Sequence, residues 1–382
     1  MINVMLCGND KVLDGMLITL MSMIKYTKEP VHAYIMTMDL TNLNPAYTAL
    51  GENHRKLLEK VLKEKNKASK VTLVDETELY NSEMPRNINK KTHYTPYIFL
   101  RLLCDKLDNM PDKLLYLDCD LVFYGNVEEL YNMNIDDYEI AAARDYIGRT
   151  WIDVDYLNSG VLLMNLKKLK QTKALEKSVQ MCITKRMMLP DQTALNRCCK
   201  KKLILEDRFN EQDRRKPKTV IRHFSMKLKY FPFFHSQNIK PWQIDKVHNI
   251  YKIHDYDDIY EKYEKVMKEF KEEGSGAKKA TKVVKKEKVE TKVSSKKKPV
   301  ATEKKEKEDK EVNKTKVVKD VKEKKEPKSS NKVNKDTKKK EVKKVEEKTQ
   351  AKKNTKKVAT KETKKEVKKD IKKNAAKKST KK

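Results

Sequence analysis

The chain has 382 residues with a formal net charge of +32, and that charge is unevenly placed: 88 basic against 56 acidic residues overall, but 44 lysines against 17 acidic residues from Gly274 onward. The first 273 residues therefore carry 44 against 39, an almost balanced charge compatible with a packed domain, whereas the remainder has no Phe, Tyr or Trp. A segment so charged and so poor in large apolar residues cannot bury enough surface to offset its ordering entropy, so residues 273–382 are expected to form a disordered lysine-rich tail behind a folded part at 1–272.

No run of 18 apolar residues exists, so no membrane-spanning helix is expected. The N-terminus lacks a basic region and a small-residue cleavage site, which reads as a cytoplasmic protein. The six cysteines, at 7, 104, 119, 182, 198 and 199, show no Cys-x-x-Cys spacing and read as buried thiols of a reducing compartment rather than as a disulfide or zinc framework.

In chain order, Ile2–Leu6 reads as a strand leading into the loop Cys7-Gly8-Asn9-Asp10. Leu13, Met16, Leu17, Leu20, Met21 and Ile24 have the spacing of an amphipathic helix over 13–26. A strand at 31–38, a polar-faced helix at 49–65 and a strand at 71–74 follow. That alternation implies an α/β domain whose strands run parallel with right-handed crossovers. Thr95-Pro96 then opens a helix, with Thr95 as its N-cap and Ile98, Leu102, Leu103 and Leu107 on its buried face, Arg101 among them.

The run Leu114–Tyr124 reads as a buried strand that delivers Asp118 and Asp120 at its end. Alternate residues of an extended chain point the same way, so the two carboxylates are placed to share one hard cation. Two other Asp-x-Asp triples, at 153–155 and 255–257, lack a preceding buried strand and read as solvated loops. Further strands are expected at 138–144, ending in Asp145, at 161–166 behind Asn158-Ser159-Gly160, and at 219–224, ending in a histidine. A helix begins at Leu189-Pro190-Asp191-Gln192, and a charged helix covers 250–270.

The order of Tyr116-Leu117-Asp118-Cys119-Asp120, Tyr156-Leu157-Asn158-Ser159-Gly160-Val161, Pro190-Asp191-Gln192 and a histidine followed by Lys240-Pro241-Trp242 resembles glycosyltransferase family 8 over residues 2–245. The resemblance implies a GT-A fold, a Rossmann-like nucleotide-binding mixed sheet flanked by helices. It also implies a UDP-sugar donor (UDP-glucose or UDP-galactose), Mn2+ or Mg2+, and transfer with retention to a glycan, glycolipid or cell-envelope acceptor. By the same resemblance Asp118, Asp120 and His223 hold the metal. His235 is the alternative, because Lys240 lies 17 residues after His223 but five after His235, with the insertion 227–234 between them. Arg101 and Lys240 would face the donor phosphates, Cys7, Asn9 and Lys11 the uracil and ribose, and Cys119, Asn158, Ser159, Gly160, Asp191 and Gln192 the rest of the donor. Asp191 and Gln192 stand nearest the reacting centre.

Lysine clusters are drawn to anionic surfaces, so the tail is expected to meet an anionic membrane, at its inner face, or an anionic polymer. Nucleic acid is the rival partner, and the absence of stacking aromatics argues against it. The competing function is a polyanion-binding protein that retains an inactive transferase domain. A nucleotidyltransferase would show a glycine-rich phosphate loop near the N-terminus, and none is present.

Overall fold

The computed structural model describes residues 1–90, 94–229 and 233–273. The expected tail disorder falls on 274–382, outside the described residues, as do residues 230–232 of the insertion.

Strands β1 (Ile2–Cys7), β2 (Val31–Thr37), β3 (Lys70–Asp75), β4 (Lys113–Leu117), β6 (Ile140–Ala143), β7 (Val161–Asn165) and β8 (Lys202–Leu205) form one seven-stranded sheet in the order β3-β2-β1-β4-β7-β6-β8. The first four run parallel, as βαβ crossovers require; β7 then pairs antiparallel to β4 and to β6, while β6 and β8 are parallel. The sheet is therefore mixed. Its parallel part is the half made by the strand–helix–strand alternation.

One cluster of buried apolar side chains covers each face. On one side lie helix α1 (Leu13–Tyr26), helix α2 (Glu52–Lys65) and the final helix at 257–273; on the other lie Pro96–Leu102, Leu166–Thr172, Ala174–Thr184 and Pro190–Cys198. The expected amphipathic α1 turns out to be buried on nearly every side. A second, two-stranded sheet of β5 (Leu121–Phe123) and β9 (Ile221–His223) accompanies it, and the polar residues of α1 serve that sheet: Thr19 Oγ1 donates to the Leu121 carbonyl at 3.0 Å, and Ser22 Oγ accepts from Phe123 N–H at 3.1 Å. A third sheet is the hairpin of β10 (Lys227–Lys229) and β11 (His235–Gln237), whose first strand lies in the segment 227–234.

Three local expectations change. Leu114–Tyr124 is not one strand, because Asp118-Cys119-Asp120 is a turn at which the chain leaves the central sheet for the smaller one. Both flanking pieces have their own pairing partners, β7 and β9, so neither needs to extend through the turn. Pro96–Leu102 is a 3-10 helix without a side-chain cap from Thr95, and Phe99 and Leu100 are buried more deeply than Ile98. The last helix starts at 257, after a π-turn at Val247–Tyr251 and a left-handed Lys252 (φ 54°) that break the chain direction.

Candidate active site

The break after β4 assembles the site. Asp118 N–H continues the β4–β7 ladder by donating to the Gly160 carbonyl at 2.8 Å; two residues later the Asp120 carbonyl accepts from Phe224 N–H at 2.9 Å and starts the β5–β9 ladder. The antiparallel register sets Leu121 opposite His223. Asp118 and Asp120 thus converge through a turn, not through the alternation of an extended strand, and His223 is delivered by the neighbouring strand. Ligand atoms of these three residues lie within 4.8 Å of one another, with His223 Nε2 3.2 Å from Asp120 Oδ1 and 3.6 Å from Asp118 Oδ2. His235 is elsewhere, exposed on the β10–β11 hairpin with Nδ1 2.8 Å from the Phe233 carbonyl.

Gly160 is needed here. A Cβ at that position would overlap the His223 ring and Asp118 Oδ2, so a side chain would push the histidine away from the carboxylates. Gly15 has the same function beneath the turn, where α1 meets the Cys119 carbonyl and the Trp242 ring at a distance no Cβ permits.

Cations balance these acids. Lys240 Nζ is 2.5 Å from Asp120 Oδ2 and 3.2 Å from the Phe224 carbonyl. Burial disfavours the charged form of Asp120, but Lys240 and His223 outweigh it and hold the carboxyl well below the usual carboxylate range. Burial likewise disfavours the His223 imidazolium, yet Asp120 and Asp118 more than compensate and raise its pKa. The buried Arg101 sits over the Tyr116 ring at 4.0 Å and reaches three segments: Asp118 Oδ1 at 3.0 Å, the Ser159 carbonyl at 2.7 Å and Asp191 Oδ2 at 3.4 Å. Tyr116 Oη donates to the same Asp118 oxygen at 2.6 Å. Burial keeps Asp191 above its ordinary pKa despite Arg101.

The remaining polar residues form one chain of hydrogen bonds. Asn210 Oδ1 lies 3.0 Å from His223 Nδ1, and Asn210 Nδ2 donates to Asn158 Oδ1 at 2.8 Å. Asn158 Nδ2 and Gln192 Nε2 both donate to Asp145 Oδ2, at 2.8 and 3.2 Å, while Asp145 Oδ1 accepts from the backbone of Ile147 and Gly148. Gln192 Oε1 accepts from Ser159 N–H at 2.9 Å. An Asn oxygen on Nδ1 favours the tautomer with a proton there, which turns the Nε2 lone pair toward Asp118 and Asp120.

Arg101, Asp118, Asp120, Asp145, Asn158, Asp191, Gln192, His223 and Lys240 line one cleft of about 700 Å³, which also takes in Cys7, Asn9, Lys11, Cys119 and Ser159, whereas Asn210 and Gly160 support it without lining it. Asn9 has a local duty as well: Nδ2 donates to the Ala46 carbonyl at 3.0 Å, and Oδ1 accepts from Lys11 N–H at 3.3 Å. Burial raises the thiols of Cys7 and Cys119, and all six cysteines are free. Asn210 was not singled out from the sequence; it lies in an irregular loop with no motif around it, and only its contact with His223 marks it. Asp145, by contrast, stands at the strand end where the sequence suggested it, and it both caps a turn and anchors two amides.

The donor set of two carboxylate oxygens and one imidazole nitrogen, converging at the carboxyl end of a central strand, fits a divalent cation such as Mn2+ or Mg2+. Comparison with known proteins bears on the fold and the family. The chain is similar to a putative glycosyltransferase of Haemophilus influenzae, 33% identical over 129 residues, which are 29% of this chain and 38% of that one. It is similar also to the lipopolysaccharide glucosyltransferase WaaO of Escherichia coli, 29% identical over 152 residues, 35% of this chain and 45% of that one. The chain spans less than half the length of the curated relatives it matches. Among solved structures, an active-site mutant of LgtC superposes with a TM-score of 0.51 at 16% identity, covering 68% of this chain and 94% of LgtC, which shows a shared GT-A fold. Among the described residues no helix is long and apolar enough to cross a membrane. The pattern of glycosyl transferase family 8 matches residues 3–246, the same span that holds the sheet, the Asp-x-Asp turn, His223 and Lys240, and the chain belongs to that family.

Proposed function

We propose that residues 1–272 form a retaining, divalent-metal-dependent hexosyltransferase that moves glucose or galactose from UDP-glucose or UDP-galactose to a glycan, glycolipid or cell-envelope acceptor. The observation that carries this reading is the convergence of Asp118, Asp120 and His223 beside two cations, the buried Arg101 and the half-buried Lys240. Bound by those three residues, Mn2+ or Mg2+ would neutralise the growing charge of a departing diphosphate.

The chain's own groups supply the rest. Lys240 is a point charge able to follow the outer phosphate, and it can leave Asp120 once that carboxylate has another cation to face. Arg101 clamps Asp118, Ser159 and Asp191 into one rigid wall. Asp191, Gln192 and Asn158 offer carboxylate and amide groups to a polyhydroxylated ring, and a closed site penalises any hydroxyl left unpaired. Double displacement needs a carboxylate free to attack the anomeric carbon. Here Asp145 accepts four hydrogen bonds, Asp191 faces Arg101 and Gln192 is a neutral amide. That arrangement supports front-face transfer, with the leaving diphosphate taking the acceptor's proton. The lysine-rich segment 273–382 would hold the enzyme near an anionic membrane or polymer.

The full chain should hydrolyse UDP-glucose or UDP-galactose slowly with Mn2+ and stop with EDTA or on Asp120→Ala. A folded chain that turns over neither donor at any Mn2+ concentration refutes the reading. A sugar adduct trapped on a side chain refutes the front-face part alone.

A further inference from the structure

A second group of metal-ligating side chains lies outside the cleft. His248 stands in the π-turn at Val247–Tyr251, His254 follows the left-handed Lys252, and Asp257 begins the final helix. The chain doubles back between them, so the two imidazoles stack with ring centroids 4.4 Å apart and planes 25° from parallel. Each ring presents a nitrogen to a different oxygen of one carboxylate: His248 Nε2 lies 2.8 Å from Asp257 Oδ1, and His254 Nδ1 lies 3.1 Å from Asp257 Oδ2. One ligand atom from each residue falls within 4.8 Å of the other two, and among the described residues only Asp118, Asp120 and His223 do the same. Asp257 belongs to an Asp-x-Asp triple that the sequence alone reads as a solvated loop. Its neighbour Asp255 pairs with Arg215 at 2.9 Å, whereas Asp257 closes on the histidines.

The residue types decide what such a group would hold. Bonds of about 2.0–2.1 Å in a tetrahedron set neighbouring ligand atoms about 3.3–3.4 Å apart, so a small opening of the two N–O separations admits an ion. Two imidazoles and one carboxylate are a softer set than the two carboxylates and one imidazole at the floor of the cleft, and they favour Zn2+ over Mn2+ or Mg2+. His248 and Asp257 are partly exposed and His254 more so, which leaves water room to complete the shell. Exposed His–Asp pairs contribute little by themselves. A lysine held in the left-handed region is unfavourable, and a cation shared by the residues on either side of that bend would offset it.

We propose that His248, His254 and Asp257 form a second divalent-cation site, selective for Zn2+ over Mn2+, that ties the π-turn to the first turn of the final helix. Tyr260, one turn further along that helix, packs edge-on against His248 at 5.6 Å, and its hydroxyl donates to the Pro241 carbonyl at 2.6 Å, one residue after Lys240. The site is therefore structural, fastening the segment that follows Lys240 and Trp242 to the helix that packs beneath it. It does not rest on the proposed transferase reading.

Isothermal titration calorimetry of the full chain carrying Asp120→Ala, which removes one ligand of the candidate catalytic site, should show one Zn2+ bound. Adding His254→Ala or Asp257→Asn should weaken that binding at least about tenfold, with the circular dichroism unchanged. Zn2+ should raise the Tm of the Asp120→Ala chain and leave that of the chain with His254→Ala added where it was. X-ray absorption at the zinc edge should show imidazole scattering and no sulfur shell. Failure to take up Zn2+, an affinity that neither added substitution alters, or a sulfur shell from the free cysteines overturns the proposal. If Zn2+ binds as expected and the otherwise native chain hydrolyses no UDP-sugar, the zinc site stands and the transferase reading falls.

Discussion

At the floor of the cleft, Asp120, His223 and Arg101 are buried, and each is held by partners from other segments of the chain; at its rim, Met188 and Phe233 stand largely in water. The floor is made by backbone ladders that meet at one turn, so a change there propagates to several side chains at once. The rim is made by loops whose apolar side chains are exposed even where their backbone is tied down, as Tyr146 N–H is by Gln212 Oε1 and Met187 N–H by Asn89 Oδ1. The difference teaches where this domain tolerates change: the floor fixes charged groups in one geometry, whereas the rim leaves apolar side chains in water, where a substitution disturbs little packing.

If the floor is one unit, Asp120→Ala should have the largest effect, lowering Mn2+-dependent hydrolysis of UDP-glucose or UDP-galactose by on the order of 10³-fold or more in a coupled UDP-release assay. Retained activity would show that the Asp-x-Asp turn is scaffolding. Asn210→Ala tests how far the unit extends. It removes the partner of His223 Nδ1 without touching the three candidate ligands, and should weaken Mn2+ binding about 10- to 100-fold, read by electron paramagnetic resonance of free Mn2+. Unchanged binding would cut the hydrogen-bond chain out of the site.

Gly160→Ala asks whether the floor has slack. The added methyl meets His223 and Asp118, so urea unfolding should show a loss of roughly 1–3 kcal/mol, and the Mn2+-induced rise in Tm should vanish with it. Glu76, the residue after β3, provides a comparison outside the candidate ligands. It is buried with both carboxylate oxygens unpartnered, and burial, with Asp75 nearby, pushes its pKa up to about 8. Because the folded state keeps a proton that the unfolded chain has lost, its contribution to stability is full below about 4.5 and is lost as pH climbs toward 8. The slope is about 1.4 kcal/mol per pH unit in that window. Denaturant titrations of Glu76→Gln should lack it, leaving the variant the more stable protein at pH 8.5. The smallest effect belongs to the rim: Phe233→Ser should change folding stability by less than about 0.5 kcal/mol and leave UDP-sugar hydrolysis alone, since the side chain is exposed. A larger loss would make the rim part of the core.

Local pattern alone determined the parallel half of the sheet, the position of α1 and α2, and the four motifs that place the chain in family 8. Hydrophobic periodicity reports burial directly, and the motifs carry the residue types that diphosphate and sugar chemistry require. It also placed His223 ahead of His235, through the strand that precedes the former. Only the tertiary structure decided what joins those pieces. That Asp118 and Asp120 converge through a turn depends on β4 and β5 finding different partners, β7 and β9, far along the chain. That Asn210 orients His223, and that Gly160 makes room for it, depends on loops brought together from more than ten residues away. Such pairings leave no period in the sequence, because the force that selects them is the burial of whole strands rather than any preference of the residues that end up touching.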